Sequence, residues 1–271
     1  MAIKLKSIAA VGALIGALAI AGCGQEEKDP NHIKVGVIVG AEQQVAEIAQ
    51  KVAKDKYGLD VELVTFNDYV LPNEALSKGD IDLNAFQHKP YLEQQIKDRG
   101  YKLVSVGNSF VYPIAGYSKK IKSLDELQDG AQVALPNDPT NLGRSLLLLQ
   151  KVGLIKLKDN VGLLPTVLDV TENPKSLKIV ELEAPQLPRS LDDAQIALAI
   201  INTTYASQIN LTPSKDGIFV EEKDSPYVNL LVSREDNKDA ENVKKFVQAY
   251  QSDEVNEAAN KIFNGGAVKG W

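Results

Sequence analysis

The sequence predicts an α/β protein of two lobes that face each other across a cleft. Three observations predict it. Apolar, strand-like runs alternate with helical stretches, and that alternation stops after "FVYPIAGYS" and then restarts. Two extended segments, "FVYPIAGY" and "SPYVNLLV", stand where a chain would cross from one unit to the other and return. The strand–helix rhythm points to mostly parallel sheets covered by helices. Right-handed crossovers then gather the strand C-terminal ends, and the loops after them, along one edge. A rigid single sheet is the alternative on this pattern alone.

The elements follow in order. "HIKVGVIVG" has the pattern of a buried strand ending in glycine, and a helix runs from about Gln43 to Tyr57. "VELVTF" is the next strand, and "VLPNEALSKGD" is a short helix stopped at Gly79. "IDLNAF" and "KLVSV" are two more strands around the helix "PYLEQQIKDRG". After the first crossover, Ser123-Leu124-Asp125-Glu126 has the form of a capping box that opens a helix ending at Gly130. "QVALP" is a strand, and "NDPTNLGRSLLLLQKVG" is a polar loop leading into a helix. "LKIVELE" and "QIALAIIN" are further strands, with a small helix around "LPRSLDD" between them. After "SPYVNLLVS" come two amphipathic helices, about Ala240–Tyr250 and Glu254–Phe263. The first lobe is expected over residues 32–114 and again over 227–271, and the second over 115–226.

Ahead of this body stands an address. Lys4 and Lys6 form a short basic start, and Ser7 to Gly22 carry no charge. That run is short for a membrane span but suits a signal peptide. It ends in Ile20-Ala21-Gly22-Cys23, which resembles a bacterial lipobox, and Cys23 is the only cysteine of the chain. Lipidation of that thiol and cleavage before it would make residues 1–22 a removable leader. Residues 23–31, polar and containing Pro30, then form a tether holding the body on a membrane surface outside the cytoplasm.

Composition excludes several function classes. The chain has 271 residues, with 30 Lys+Arg against 36 Asp+Glu and an isoelectric point near 5.1. A nucleic-acid binder needs a basic footprint, so none is expected. One cysteine cannot form an internal disulfide, and His32 and His88 are the only histidines, so no metal site is expected. There is no Walker-type glycine loop, no G-x-S-x-G elbow and no H-E-x-x-H pair. The expectation is a binding protein with no cofactor, and an envelope enzyme acting on an amino-acid derivative is the alternative.

Candidate ligand-binding residues are read from two segments. Asn141 and Arg144 lie three apart at a helix N-terminus, where free N–H groups and the helix dipole favour an anion. Arg144 adds a fork that can grip a carboxylate; an Asn cap and a surface arginine is the competing reading. "NAFQHKPY" packs Phe86, His88 and Tyr91 together, and with Tyr69 these could wall an apolar slot suited to a thioether, or could be core rings. Asn202 and Asn229 offer amide donors and acceptors of the kind an amino-acid backbone needs, though spacing alone does not select them.

The whole chain resembles the substrate-binding lipoproteins of the bacterial methionine ABC importer, in the NlpA family. The resemblance rests on "VGVIVGAEQQVAEIAQKVAKDKYGLDVELVTFNDYVLPNEAL", "NAFQHKPYL", "VYPIAGYS", "PNDPTNLGRSL", "INTTYA" and "FNGGAVKGW". It implies the two-lobed periplasmic-binding-protein fold, type II-like with a double-strand hinge, and non-covalent binding of methionine. It implies Tyr69, Phe86, His88 and Tyr91 as the side-chain pocket. It places Arg144 at the carboxylate with Asn141 nearby, and Asn202 and Asn229 around the amino and carboxylate groups. The partners it implies are the permease and ATPase subunits of the importer and, through Cys23, the membrane. Another small amino acid or a short peptide is the alternative ligand. Met1 is the only methionine, so the mature chain would contain none, which agrees weakly with a protein made when methionine is scarce.

Overall fold

The computed structural model describes residues 29–271, so the leader, Cys23 and most of the tether lie outside the described residues. The described chain runs β1 (His32–Ile38), α1 (Ala41–Tyr57), β2 (Asp60–Phe66), α2 (Leu71–Lys78), β3 (Leu83–His88), α3 (Lys89–Arg99) and β4 (Leu103–Val111). It continues through β5 (Ala115–Tyr117), β6 (Gln132–Pro136), α4 (Pro139–Lys151), β7 (Lys156–Leu157), β8 (Val170–Glu172), β9 (Lys178–Leu182) and α5 (Leu187–Ser190). Then come β10 (Ile196–Ile201), α6 (Thr203–Gln208), α7 (Pro213–Asp216), β11 (Phe219–Val220), β12 (Val228–Arg234), α8 (Glu241–Tyr250), α9 (Asp253–Ile262) and β13 (Val268–Lys269).

Two main sheets result. One has six strands in the order β13-β4-β12-β3-β1-β2, and the other has five in the order β11-β5-β10-β6-β9. In the first, β1 pairs in parallel with β2 from His32↔Asp60 to Ile38↔Phe66, and with β3. The expectation of mostly parallel sheets needs correction here. β12 returns from the other half of the chain and inserts antiparallel between β3 and β4, and β13 adds antiparallel at the edge. In the second sheet β6 runs parallel to β9 and β10, while β5 and β11 run antiparallel. The chain passes from the first sheet to the second between Val111 and Ala115, and returns between Val220 and Val228.

Local sequence explains the main elements. In β1, Ile33, Val35 and Val37 are fully buried under α1, whose Val45, Ala46, Ala49, Val52 and Ala53 recur on one face. Gly58, at φ 63°, ends that helix in the left-handed conformation that glycine adopts without a steric penalty. These residues form one core with β4, α8 and α9. A second core joins β6, α4 and β10 through Val133, Leu146, Leu149 and Leu198. A third belongs to both halves: Ile38, Phe86 and Tyr91 of the first pack with Ala115, Ile201 and Tyr205 of the second.

The capping box expected at Ser123–Glu126 does not form. Leu124–Glu126 is one 3-10 turn, and the Ser123 side chain makes no capping bond. Glu126 instead reaches back past it to accept from the Lys122 backbone N–H at 3.1 Å. The short pieces β7, β8, α6, α7, β11 and β13 had no sequence signal, because two to six residues show too little periodicity.

Candidate ligand-binding site

One cavity lies between the two sheets. All eight ligand-binding candidates border it: Tyr69, Phe86, His88, Tyr91, Asn141, Arg144, Asn202 and Asn229. Gln87, Tyr112, Thr203 and Thr204 complete the lining.

The aromatic wall comes from the first half of the chain. Asp68 accepts the backbone N–H groups of Val70 and Leu71 at 2.7 and 2.9 Å, and the resulting turn presents Tyr69. Every residue of β3 is buried, which brings Phe86 and His88 to the cavity, and α3 adds Tyr91. The Tyr69 ring centroid lies 5.8 Å from Phe86, 6.1 Å from Tyr91 and 5.0 Å from Tyr205. Tyr91 spends its hydroxyl on the Tyr69 carbonyl at 2.8 Å, so the wall presents ring faces and edges.

The polar end is a chain of amides and a histidine. His88 caps α3, its Nδ1 accepting the Tyr91 backbone N–H at 3.1 Å. Nε2 therefore carries the proton and donates to Asn141 Oδ1 at 3.2 Å. Burial, with the charge of Arg144 adding to it, pushes the His88 pKa down to about 3, so the ring is neutral. Asn141 Oδ1 also accepts from Asn202 Nδ2 at 2.8 Å, and Asn141 Nδ2 donates to Asp138 at 2.9 Å. Asp138 is the side-chain cap of α4, accepting the Asn141 backbone N–H at 3.0 Å. The Asn141 amide is thus spent on bracing the site from both sides. Asn202 Oδ1, by contrast, is buried without a hydrogen-bond partner. Asn229 sits on β12 opposite His88 and donates to the Phe86 carbonyl at 3.1 Å.

Arg144 is held more tightly than its sequence position implies. Its Nε donates to Glu221 Oε1 at 2.9 Å, its Nη2 donates to Glu221 Oε2, and Nη2 also donates to the Tyr112 carbonyl at 3.0 Å. The guanidinium carbon lies 4.4 Å from the centroid of the Tyr227 ring. The two-pronged edge expected to grip a ligand carboxylate is therefore taken by Glu221, and Nη1 is the nitrogen left for a ligand. Gly143 beside it has a steric reason: a Cβ there would stand 2.5 Å from the Leu163 carbonyl oxygen.

Sequence reasoning did not single out Glu221, Tyr227, Tyr112, Asp138 or the two threonines. Tyr112 and Tyr227 lay in the two crossover segments, which was a usable signal. Glu221 is one acid in the charged run "EEKD" and carried none. Among the described residues, no group of acidic, histidine or cysteine side chains is placed to hold a metal ion. No described helix is long and apolar enough to cross a membrane.

The family model for the NlpA lipoproteins matches residues 33–271. The chain belongs to the NlpA lipoprotein family. This family member is 90% identical, over the full length of both chains, to the D-methionine-binding lipoprotein MetQ of Escherichia coli K12. It is 62% identical to Lipoprotein 28 of the same organism, over 95% of each chain. Among solved structures, the methionine-binding protein MetQ superposes with a TM-score of 0.89 at 92% identity, covering 90% of this chain and 99% of that one. A nutrient-binding protein from Burkholderia cenocepacia bound to methionine superposes with a TM-score of 0.85 at 53% identity, covering 88% and 100%. The fold is accordingly the two-lobed α/β fold of the substrate-binding proteins.

Proposed function

We propose that this NlpA lipoprotein captures methionine in the cell envelope and delivers it to the permease and ATPase of an ABC importer, without catalysing a reaction. The observation that carries the reading is the make-up of the cavity, which joins an aromatic wall to a polar end of amides, a neutral histidine and an arginine. Tyr69, Phe86 and Tyr91 would pack the side chain, since sulfur–aromatic contacts contribute about 0.3–1.5 kcal/mol each. Arg144, through Nη1, would take the carboxylate. Asn202 Oδ1 and the Asn229 amide would take the ammonium group, with His88 and Asn141 holding the frame. The names of the MetQ relative and of the two solved structures agree in ligand, and the divisions 32–114 plus 227–271 and 115–226 would be the lobes that close on it. Cys23 would carry the lipid that keeps the protein at the membrane.

Native mass spectrometry of the purified protein, followed by calorimetric titration with L- and D-methionine, tests the reading. One methionine bound per chain and released unchanged is expected. Absence of binding by both enantiomers, with a protein that melts cooperatively, would overturn it.

A further inference from the structure

Among the described residues, Arg144 is the only charged side chain bordering the cavity, because His88, with its pKa pushed down to about 3, is neutral there. Yet that charge does not act alone. The Arg144 side chain is 3% exposed and the Glu221 side chain 14%, and the two meet through a paired Nε and Nη2 contact with both carboxylate oxygens. The carboxylate is fixed in turn by the first crossover. Glu221 Oε2 accepts the Ile114 backbone N–H at 3.3 Å, and the Glu221 backbone N–H donates to the Ile114 carbonyl at 2.9 Å. Glu221 borders the recess on the far side of Arg144 rather than the cavity itself, so a ligand does not displace it by simple contact.

A buried arginine without such a partner would make the cavity net positive, and a net-negative ligand would then be the best match. With Glu221 in place the polar end is balanced. It has one guanidinium nitrogen for a carboxylate, and in Asn202 Oδ1 a buried acceptor that needs a donor. An ammonium group is such a donor. We propose that Glu221 sets the charge class of the ligand: by neutralising Arg144 from behind, it makes the cavity select a zwitterionic amino acid over a net-anionic acid of the same shape. Glu221 is thus a positioning residue acting through Arg144. The inference rests on the methionine reading above.

The probes are L-methionine and 4-(methylthio)butanoate, which keeps the thioether and carboxylate but lacks the ammonium group. Calorimetry with wild type is expected to show a strong preference for methionine. In Glu221→Gln that preference should narrow by about tenfold or more, as expected for one charge acting at short range in a mostly buried site. Glu221→Ala, where water can enter from the recess, should narrow it likewise, and Glu221→Asp should hold the wild-type ratio. Equal weakening of both ligands, or an unchanged ratio, in whichever neutral variant folds would overturn the proposal. So would failure of both neutral variants to fold, which would make the carboxylate a folding requirement. If wild type binds neither probe, it is the methionine reading that fails.

Discussion

Glu42 and Thr204 meet across the two halves of the molecule. The Thr204 hydroxyl donates to Glu42 Oε1 at 2.7 Å, while Glu42 Oε2 is buried without a partner. Glu42 is 1% exposed at the start of α1 and Thr204 4% exposed at the start of α6. The titratable groups around the carboxylate are the phenols of Tyr69, Tyr112, Tyr205 and Tyr250. Burial raises the Glu42 pKa to about 8, against the opposing effect of the Thr204 bond, so the acid is held protonated at neutral pH.

A signed pH dependence follows. The folded state binds the Glu42 proton more tightly than the unfolded chain, so this contribution is complete below pH 4.5 and is lost as pH rises toward 8. His88 acts oppositely. Its pKa falls from 6.5 to about 3 on folding, so its contribution is complete above pH 6.5 and is lost as pH falls toward 3. The two offset each other at mildly acidic pH, and Glu42 acts alone from about pH 6.5 to 8. Urea unfolding should show wild-type stability declining over that upper window and Glu42→Gln declining less. Parallel curves for the two proteins there would show that Glu42 does not hold a proton in the fold.

Asn229 is expected to serve ligand and fold together. Its Nδ2 bond to the Phe86 carbonyl ties β12 to β3 beside the aromatic wall. Asn229→Ala should weaken methionine binding by roughly 1–3 kcal/mol, the scale of a buried polar group left unsatisfied. The melting temperature should fall only slightly. Unchanged affinity by calorimetry would make Asn229 a brace between strands and nothing more.

These contacts mark where sequence reading reaches and where it stops. The strands β1 and β6 and the helices α1, α4, α8 and α9 were legible because their apolar periodicity is local and long. The placement of Asn141 and Arg144 on the first turns of α4 was legible for the same reason. The partner of Arg144 was not, since Glu221 lies 77 residues away and meets it only through the second crossover. Asn202 and Asn229 became candidates through family resemblance, because one amide at a strand end is indistinguishable from any other until the sheet is assembled. The antiparallel insertion of β12 had the same cause: strand direction inside a sheet is a tertiary fact.

Cys23 can be tested without a structure. A serine hydroxyl does not replace the thiol that accepts the diacylglyceryl group as a thioether, so Cys23→Ser should carry no labelled palmitate. It should also partition into the aqueous phase of a detergent extraction, or persist with its leader attached. Normal lipid labelling in Cys23→Ser would remove the lipobox assignment.

Arg144 is expected to combine its observed fold role with the proposed ligand role, and the two should be separable. Arg144→Ala removes the partner of a mostly buried carboxylate, and breaking such a pair costs about 3–5 kcal/mol, largely through the charge left behind. The variant should therefore be markedly less stable as well as weak in methionine binding. Arg144→Lys should recover part of both, because an ammonium cannot serve Glu221, the Tyr112 carbonyl and a ligand with the geometry of a guanidinium. Adding Glu221→Gln to Arg144→Ala removes the orphaned charge, so the double variant should regain stability without regaining methionine affinity. Methionine amide, a cation without a carboxylate, sharpens the separation. Wild type should bind it far more weakly than methionine. In Arg144→Ala the unpaired Glu221 should favour the cation and erase or invert that preference, and in the double variant the two ligands should bind about equally. Denaturant melts and a titration matrix of these proteins against the two ligands measure both roles. If Arg144→Ala penalises the amide as strongly as wild type does, the ligand carboxylate is bound somewhere other than Arg144.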